Sequence, residues 1–249
     1  VKKLSTLISL CIVTAGFAQP QTTYHQQLIW YCWFETITLS NRWYIQAEVQ
    51  ERHFINPFAP HQFLLRAHLH RTWEKTGWEA SAGFCSFFHN PNLPDAAVKL
   101  TVPELRPHAE AACRHSFGRL SCEHRLRTEA RFFHHVNAAG NALAEDYYFS
   151  AFRFRYRLQF TYPLFRINNS HEVKLKLSNE YHLQAGGETG EPDFDQNRLY
   201  GGLSMAVTPS LTIDAGYMHW YQHRQPDVIF NRDIIRFTVF HRINAGRKS

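Results

Sequence analysis

The chain has 249 residues, a formal charge of +6 and 44% hydrophobic residues, enough for one large or two small domains. No linker-like stretch divides it, and the arginines are spread over many strand-like segments rather than one face, which excludes nucleic acid as a partner. Beyond the first eighteen residues the apolar content never gathers into a run of about twenty, so no transmembrane helix is expected.

Residues 1–18 read as a cleaved signal peptide. Lys2 and Lys3 form a basic start, residues 4–15 are apolar, and Gly16 and Ala18 are small residues placed for a cut before Gln19. Residues 19–249 are then one exported domain.

From residue 27 the sequence alternates apolar and polar residues, and in a strand these take opposite faces. In 42–52, Trp43, Ile45, Ala47 and Val49 oppose Tyr44, Gln46, Glu48 and Gln50. In 61–73, Phe63, Leu65, Ala67 and Leu69 oppose Arg66, His68 and His70. In 119–133, Leu120, Cys122, His124 and Leu126 oppose Glu123, Arg125, Arg127, Glu129 and Arg131. The clearest case is 147–162, where Phe152, Phe154, Tyr156, Leu158 and Phe160 oppose Arg153, Arg155, Arg157 and Gln159. Segments 172–182, 197–207, 211–221 and 231–243 repeat the pattern.

These runs are long, where strands of soluble domains average about five or six residues. Aromatics gather near strand ends at Trp30, Tyr31, Trp33, Trp43, Trp73, Trp78, Tyr147, Tyr148, Trp220 and Tyr221, as in the interfacial girdles of a membrane barrel. Short turns at 39–41, 74–77, 116–118, 166–170 and 208–210 alternate with longer loops at 53–60, 90–103, 137–146, 186–192 and 223–228. The expected fold is an all-β, antiparallel transmembrane β-barrel in the bacterial outer membrane. A soluble periplasmic sandwich is the alternative. Eleven strands are read from residue 27 onward, but an even barrel needs another, so the expectation is twelve, with ten as the alternative.

The inward parity collects charge: Glu48, Arg66, Glu104, Arg106, Glu110, Glu123, Arg125, Arg127, Glu129, Arg131, Arg153, Arg155, Arg157, Glu180, Arg198, Asp214 and Arg236. Arg–carboxylate pairs suit a narrow interior because the planar guanidinium fork matches a carboxylate. The leading expectation is a lumen filled by such pairs, in a structural, assembly or narrow-transport component whose surroundings are outer-membrane lipid. An anion-biased channel or small-ligand transporter is the second reading, and an outer-membrane lipid-modifying enzyme the third. Ser150, Ser178 and Ser204 lie in strands, and His182 follows Ser178 on the same face but about 13 Å away, too far for a nucleophile–base pair. His68 and His70 share a face, yet two imidazoles are no metal site, so neither metal nor cofactor is expected. Cys113 and Cys122 flank a short turn and would face each other across a two-residue hairpin loop, which makes a disulfide geometrically feasible.

The ordered set Glu104–Pro107, Glu123–Phe132, Phe152–Arg157, Asn179–Glu180, Phe194–Gly201 and Gly216–Met218 resembles a family of outer-membrane barrels from Bacteroidetes, a domain of unknown function numbered 2490. The resemblance implies a location and a fold, and attaches no activity.

Overall fold

In the computed structural model, residues 22–167, 171–187, 193–225 and 228–245 are described. The proposed signal peptide, 1–18, lies outside them. The alternating segments form β1 (Thr22–Thr38), β2 (Trp43–Phe54), β3 (Ala59–Trp73), β4 (Trp78–His89), β5 (Val102–Phe117), β6 (Leu120–Val136), β7 (Leu143–Ile167), β8 (His171–Ala185), β9 (Asp193–Ala206), β10 (Leu211–Gln225) and β11 (Val228–Asn244). Each pairs with its neighbours in sequence, and β1 closes onto β11.

The strand number is eleven among the described residues, which corrects the expectation of twelve or ten. The closure explains the difference. Strands paired antiparallel alternate in direction, so an odd number leaves the first and last pointing the same way. Here they pair in parallel, from Thr22 opposite Val228 to Thr38 opposite Asn244. Slanted parallel hydrogen bonds are slightly weaker per residue, but this ladder runs the full length of both strands and leaves no edge.

Short turns close one end of the barrel, at 39–42, 74–77, 118–119 and 207–210. Longer connections, including 90–101 and 137–142, close the other. The β5–β6 turn is the two-residue Gly118–Arg119, and Gly118 takes a φ of 59°, a left-handed conformation that glycine adopts without steric cost.

Burial is inverted relative to a water-soluble protein. The buried polar residues outnumber the buried apolar ones, while the outward wall carries exposed Tyr31, Trp33, Leu65, Leu69, Phe84, Phe154, Tyr156, Leu177, Leu203 and Phe237. One apolar cluster does lie inside. Leu28, Trp30, Cys32, Phe54, Met218, Trp220 and Ile234 pack together with Tyr200. This corrects the placing of Trp30 and Trp220 among girdle aromatics. Both are 2% exposed, and they meet edge to face with ring centroids 5.7 Å apart inside the lumen.

Candidate functional site

The lumen divides into a packed half toward the long loops and a cup toward the short turns. In the packed half, β5 presents Glu104, fully buried, as the focus of five hydrogen bonds. Arg106 grips both carboxylate oxygens at 2.6 Å, Arg131 from β6 adds a second fork at 2.6 and 3.2 Å, and His89 Nε2 stands 2.6 Å away. Two guanidinium forks on one carboxylate satisfy its lone pairs, which a buried charge requires.

Nearby, fully buried Arg232 donates to the side-chain oxygens of Gln26, Gln222 and Asn92 and lies 4.3 Å from the Trp220 ring centroid. Asn92 belongs to the 90–101 connection, and its carbonyl also accepts from Gln26 at 2.7 Å, which fastens that loop against the barrel interior. Through Trp220 this layer meets the apolar cluster.

The cup is a cavity of about 720 Å³. Its lining runs from Thr72, Glu74, Gly77 and Ser116 at the short-turn end to Trp30, Arg52, Phe87, Arg106, Arg153, His182 and Arg198. Glu104, Arg131, Trp220 and Arg232 do not line it.

Most of the predicted charges meet in this lumen. Arg66 pairs with Glu48 at 2.5 Å across β3 and β2. Glu129 stands 2.8 Å from Arg155, 3.7 Å from Arg106 and 3.8 Å from Arg127. Glu180 takes Arg125 at 2.5 Å, Arg155 at 2.9 Å and His182 at 3.0 Å. Glu110 takes Arg127 at 2.7 Å, and Glu123 pairs with Arg157 at 2.6 Å and Arg114 at 2.5 Å. The pairs of Glu110, Glu129 and Glu180 join strands β5 to β8 into one network. Arg153 and Asp214 instead find partners outside the predicted set, Asp195 at 3.0 Å and Lys176 at 2.6 Å.

Arg198 and Arg236 form no ion pair with a carboxylate among the described residues. Arg198 donates to Gln196 at 3.0 Å, and both arginines keep a buried Nε–H with no hydrogen-bond partner. Arg52, not foreseen, also lacks a carboxylate partner. It donates to Gln50 and Gln62 and stacks 3.9 Å from the Trp30 centroid.

The parity that placed Glu48 and Gln50 inward extends to Arg52 and could have found it. Asp195 has odd parity in a strand whose inward residues are even. A register shift opposite His182 and Leu183 leaves Asp195 unpaired in the ladder and turns both it and Gln196 inward, 2% and 1% exposed. Parity alone could not reveal that bulge.

The disulfide expectation is corrected: Cys113 and Cys122 are both free. The turn sits one residue later than the pairing needs, so Cys113 falls opposite His124 and Cys122 opposite His115. Cys113 Sγ lies 3.3 Å from His115 Nε2, and Cys122 Sγ 3.6 Å from His124 Nε2. His68 Nδ1 and His70 Nε2 are 2.9 Å apart, and His70 also reaches Glu79 at 2.8 Å. Among the described residues no group of three or more His, Cys, Asp or Glu is placed to hold a metal ion.

A family model described as "Protein of unknown function (DUF2490)" matches residues 27–231. No curated protein matches the chain. Among solved structures, the barrel is similar to a ferric enterobactin receptor mutant from Pseudomonas aeruginosa, at 12% identity and a TM-score of 0.34. That likeness covers 74% of this chain and 35% of the receptor chain, so this chain spans about a third of the receptor's length.

Proposed function

The chain belongs to the family described as a protein of unknown function (DUF2490), and we propose from its geometry that it is an outer-membrane β-barrel with a lumen closed to flow, acting as a structural or ligand-holding component rather than a pore. Residues 1–18 would direct its export, and 19–249 would form the one membrane domain.

The observation that carries this reading is the inverted wall. Charged and amide side chains are buried inside, and large apolar side chains stand exposed around the outside. Contiguous apolar surface on this scale is unfavourable in water and favourable against lipid. Strands of 12 to 25 residues are also long enough to cross a bilayer, which takes about nine to eleven tilted residues.

Closure rests on the packed half. Trp30, Trp220 and Phe54 pack together and Arg106 and Arg131 converge on Glu104, and these side chains would occupy the cross-section that a channel leaves free. Outer-membrane barrels put short turns on the periplasmic side, so the cup would open toward the periplasm.

Purification tests the membrane assignment. The folded chain is expected to need detergent or lipid to stay monodisperse, and to migrate faster on gels unheated than heated. A monodisperse, folded chain in detergent-free buffer would overturn it.

A further inference from the structure

Most arginines of the lumen are matched by a carboxylate, and fully buried Arg232 is held by three amide side chains instead. Around the floor of the cup, Arg52, Arg198 and Arg236 line the cavity and form no ion pair among the described residues. Arg106, Arg153 and Arg155, also in the lining, are matched by Glu104, Asp195 and Glu129 with Glu180.

The three unmatched cations converge through the register. Trp30 on β1 lies directly opposite Arg52 on β2 and Arg236 on β11. Arg198 reaches across from β9, with its guanidinium 5.5 Å from the Trp30 centroid and 4.6 Å from that of Trp220. Gly216 on β10 is opposite both Arg236 and Gly202 on β9, so the two positions next to Arg236 across the sheet carry no side chain. Tyr200 lies over that gap, 5.7 Å from Arg236.

Fixed like charges repel in a protein interior unless something answers them. Arg52 is satisfied by neutral amide oxygens. Arg198 and Arg236 line the cavity with no carboxylate partner, and their buried Nε–H groups, like those of Arg66 and Arg153, point away from it. A guanidinium that lines a cavity without a counter-charge is the arrangement that receives an oxyanion. The cavity volume, about 720 Å³, is that of a small-molecule site.

We propose that the floor of the cup binds a compact polyanion bearing phosphate or carboxylate groups, with Arg198 and Arg236 donating to its oxygens and Arg52 adding charge from behind Trp30. The aromatic rings of Trp30 and Trp220 hold the guanidinium planes of Arg52 and Arg198 in place. The site deepens the ligand-holding part of the function proposed above, and it requires the cup but not the bilayer.

The test is titration calorimetry on the full chain, folded in detergent, with inorganic pyrophosphate as the phosphate arm and citrate as the carboxylate arm. Saturable binding of at least one probe near one per barrel is expected, together with a rise in Tm that grows with probe concentration. Arg198→Gln and Arg236→Gln should each weaken binding at least tenfold, and Arg198→Lys by a smaller factor because it keeps charge but loses the fork. Arg114→Gln, whose side chain is 64% exposed at the mouth, should leave binding within about twofold.

No saturable binding and no Tm shift with either probe on the unaltered chain would overturn the proposal, whatever the variants do. So would equal binding by the glutamine variants when gel migration shows them folded. Absent binding together with an electrically silent barrel would sink the site and leave the closed-lumen reading standing. Binding together with steady conductance would do the reverse.

Discussion

Replacing Glu104 with glutamine keeps the shape of the side chain and removes the charge that two arginines share. In the native lumen its oxygens accept four hydrogen bonds from Arg106 and Arg131 and meet His89 Nε2. The amide offers one acceptor oxygen and turns a donor –NH₂ toward groups that are themselves donors. At least two charge-assisted bonds are lost, each worth about 1.5–3 kcal/mol, and two buried guanidiniums are left without a full counter-charge. We expect a loss of about 3–5 kcal/mol in unfolding free energy.

Urea unfolding in lipid vesicles, followed by tryptophan fluorescence, measures it. Because the site is fully buried, the loss should be nearly the same at low and high salt. Adding Arg131→Met should recover part of it, since one orphaned charge is then gone. Glu172→Gln provides the contrast. Its partner Lys174 is 2.9 Å away, but the two side chains are 31% and 42% exposed, and the expected cost is at most about 1 kcal/mol. If Glu104→Gln costs less than about 1 kcal/mol, that carboxylate is solvated and the packed-half argument is wrong.

Gly216→Ala places a Cβ 2.6 Å from the Gly201 carbonyl oxygen and 2.7 Å from Gly202 Cα and Tyr200 Cε2. It should cost about 1–3 kcal/mol in the same unfolding assay, and an unchanged midpoint would mean that the β9 backbone at Gly201 and Gly202 gives way at no cost. Phe154→Arg puts a charge at mid-strand on the outward wall, where Phe154 is 40% exposed. In a bilayer this should cost about 2–4 kcal/mol, whereas a barrel standing in water would register almost nothing. Non-reducing mass mapping should find Cys113 and Cys122 each alkylated by a thiol reagent after denaturation. A linked peptide pair would contradict the observed register.

The two-faced character of the wall was legible because strand periodicity is local: Phe152 to Phe160 and Arg153 to Arg157 need only their own parity to be assigned to opposite faces. Which charges meet was not legible. Arg155 reaches Glu129 and Glu180, 26 and 25 residues away, and those meetings depend on the stagger between strands as the barrel closes. The eleven strands were visible as segments, but the habit of even, antiparallel barrels obscured the parallel seam between Thr22–Thr38 and Val228–Asn244. Asp195 escaped because a bulge resets parity within one residue. Trp30 and Trp220 were misplaced because a large aromatic near a strand end serves an interfacial girdle and a lumen plug equally well, and only the barrel's closure decides its face. Cys113 and Cys122 missed each other because a hairpin turn displaced by one residue slides the register by two.

A blind lumen passes no current. Planar-bilayer recording on the full chain, refolded and verified by heat-modifiable migration, tests it most directly. The packed layer of Glu104, Arg131, Trp220 and Arg232 predicts an electrically silent bilayer at moderate voltage. Steady, anion-selective openings would contradict it and would make the arginine lining the wall of a pore.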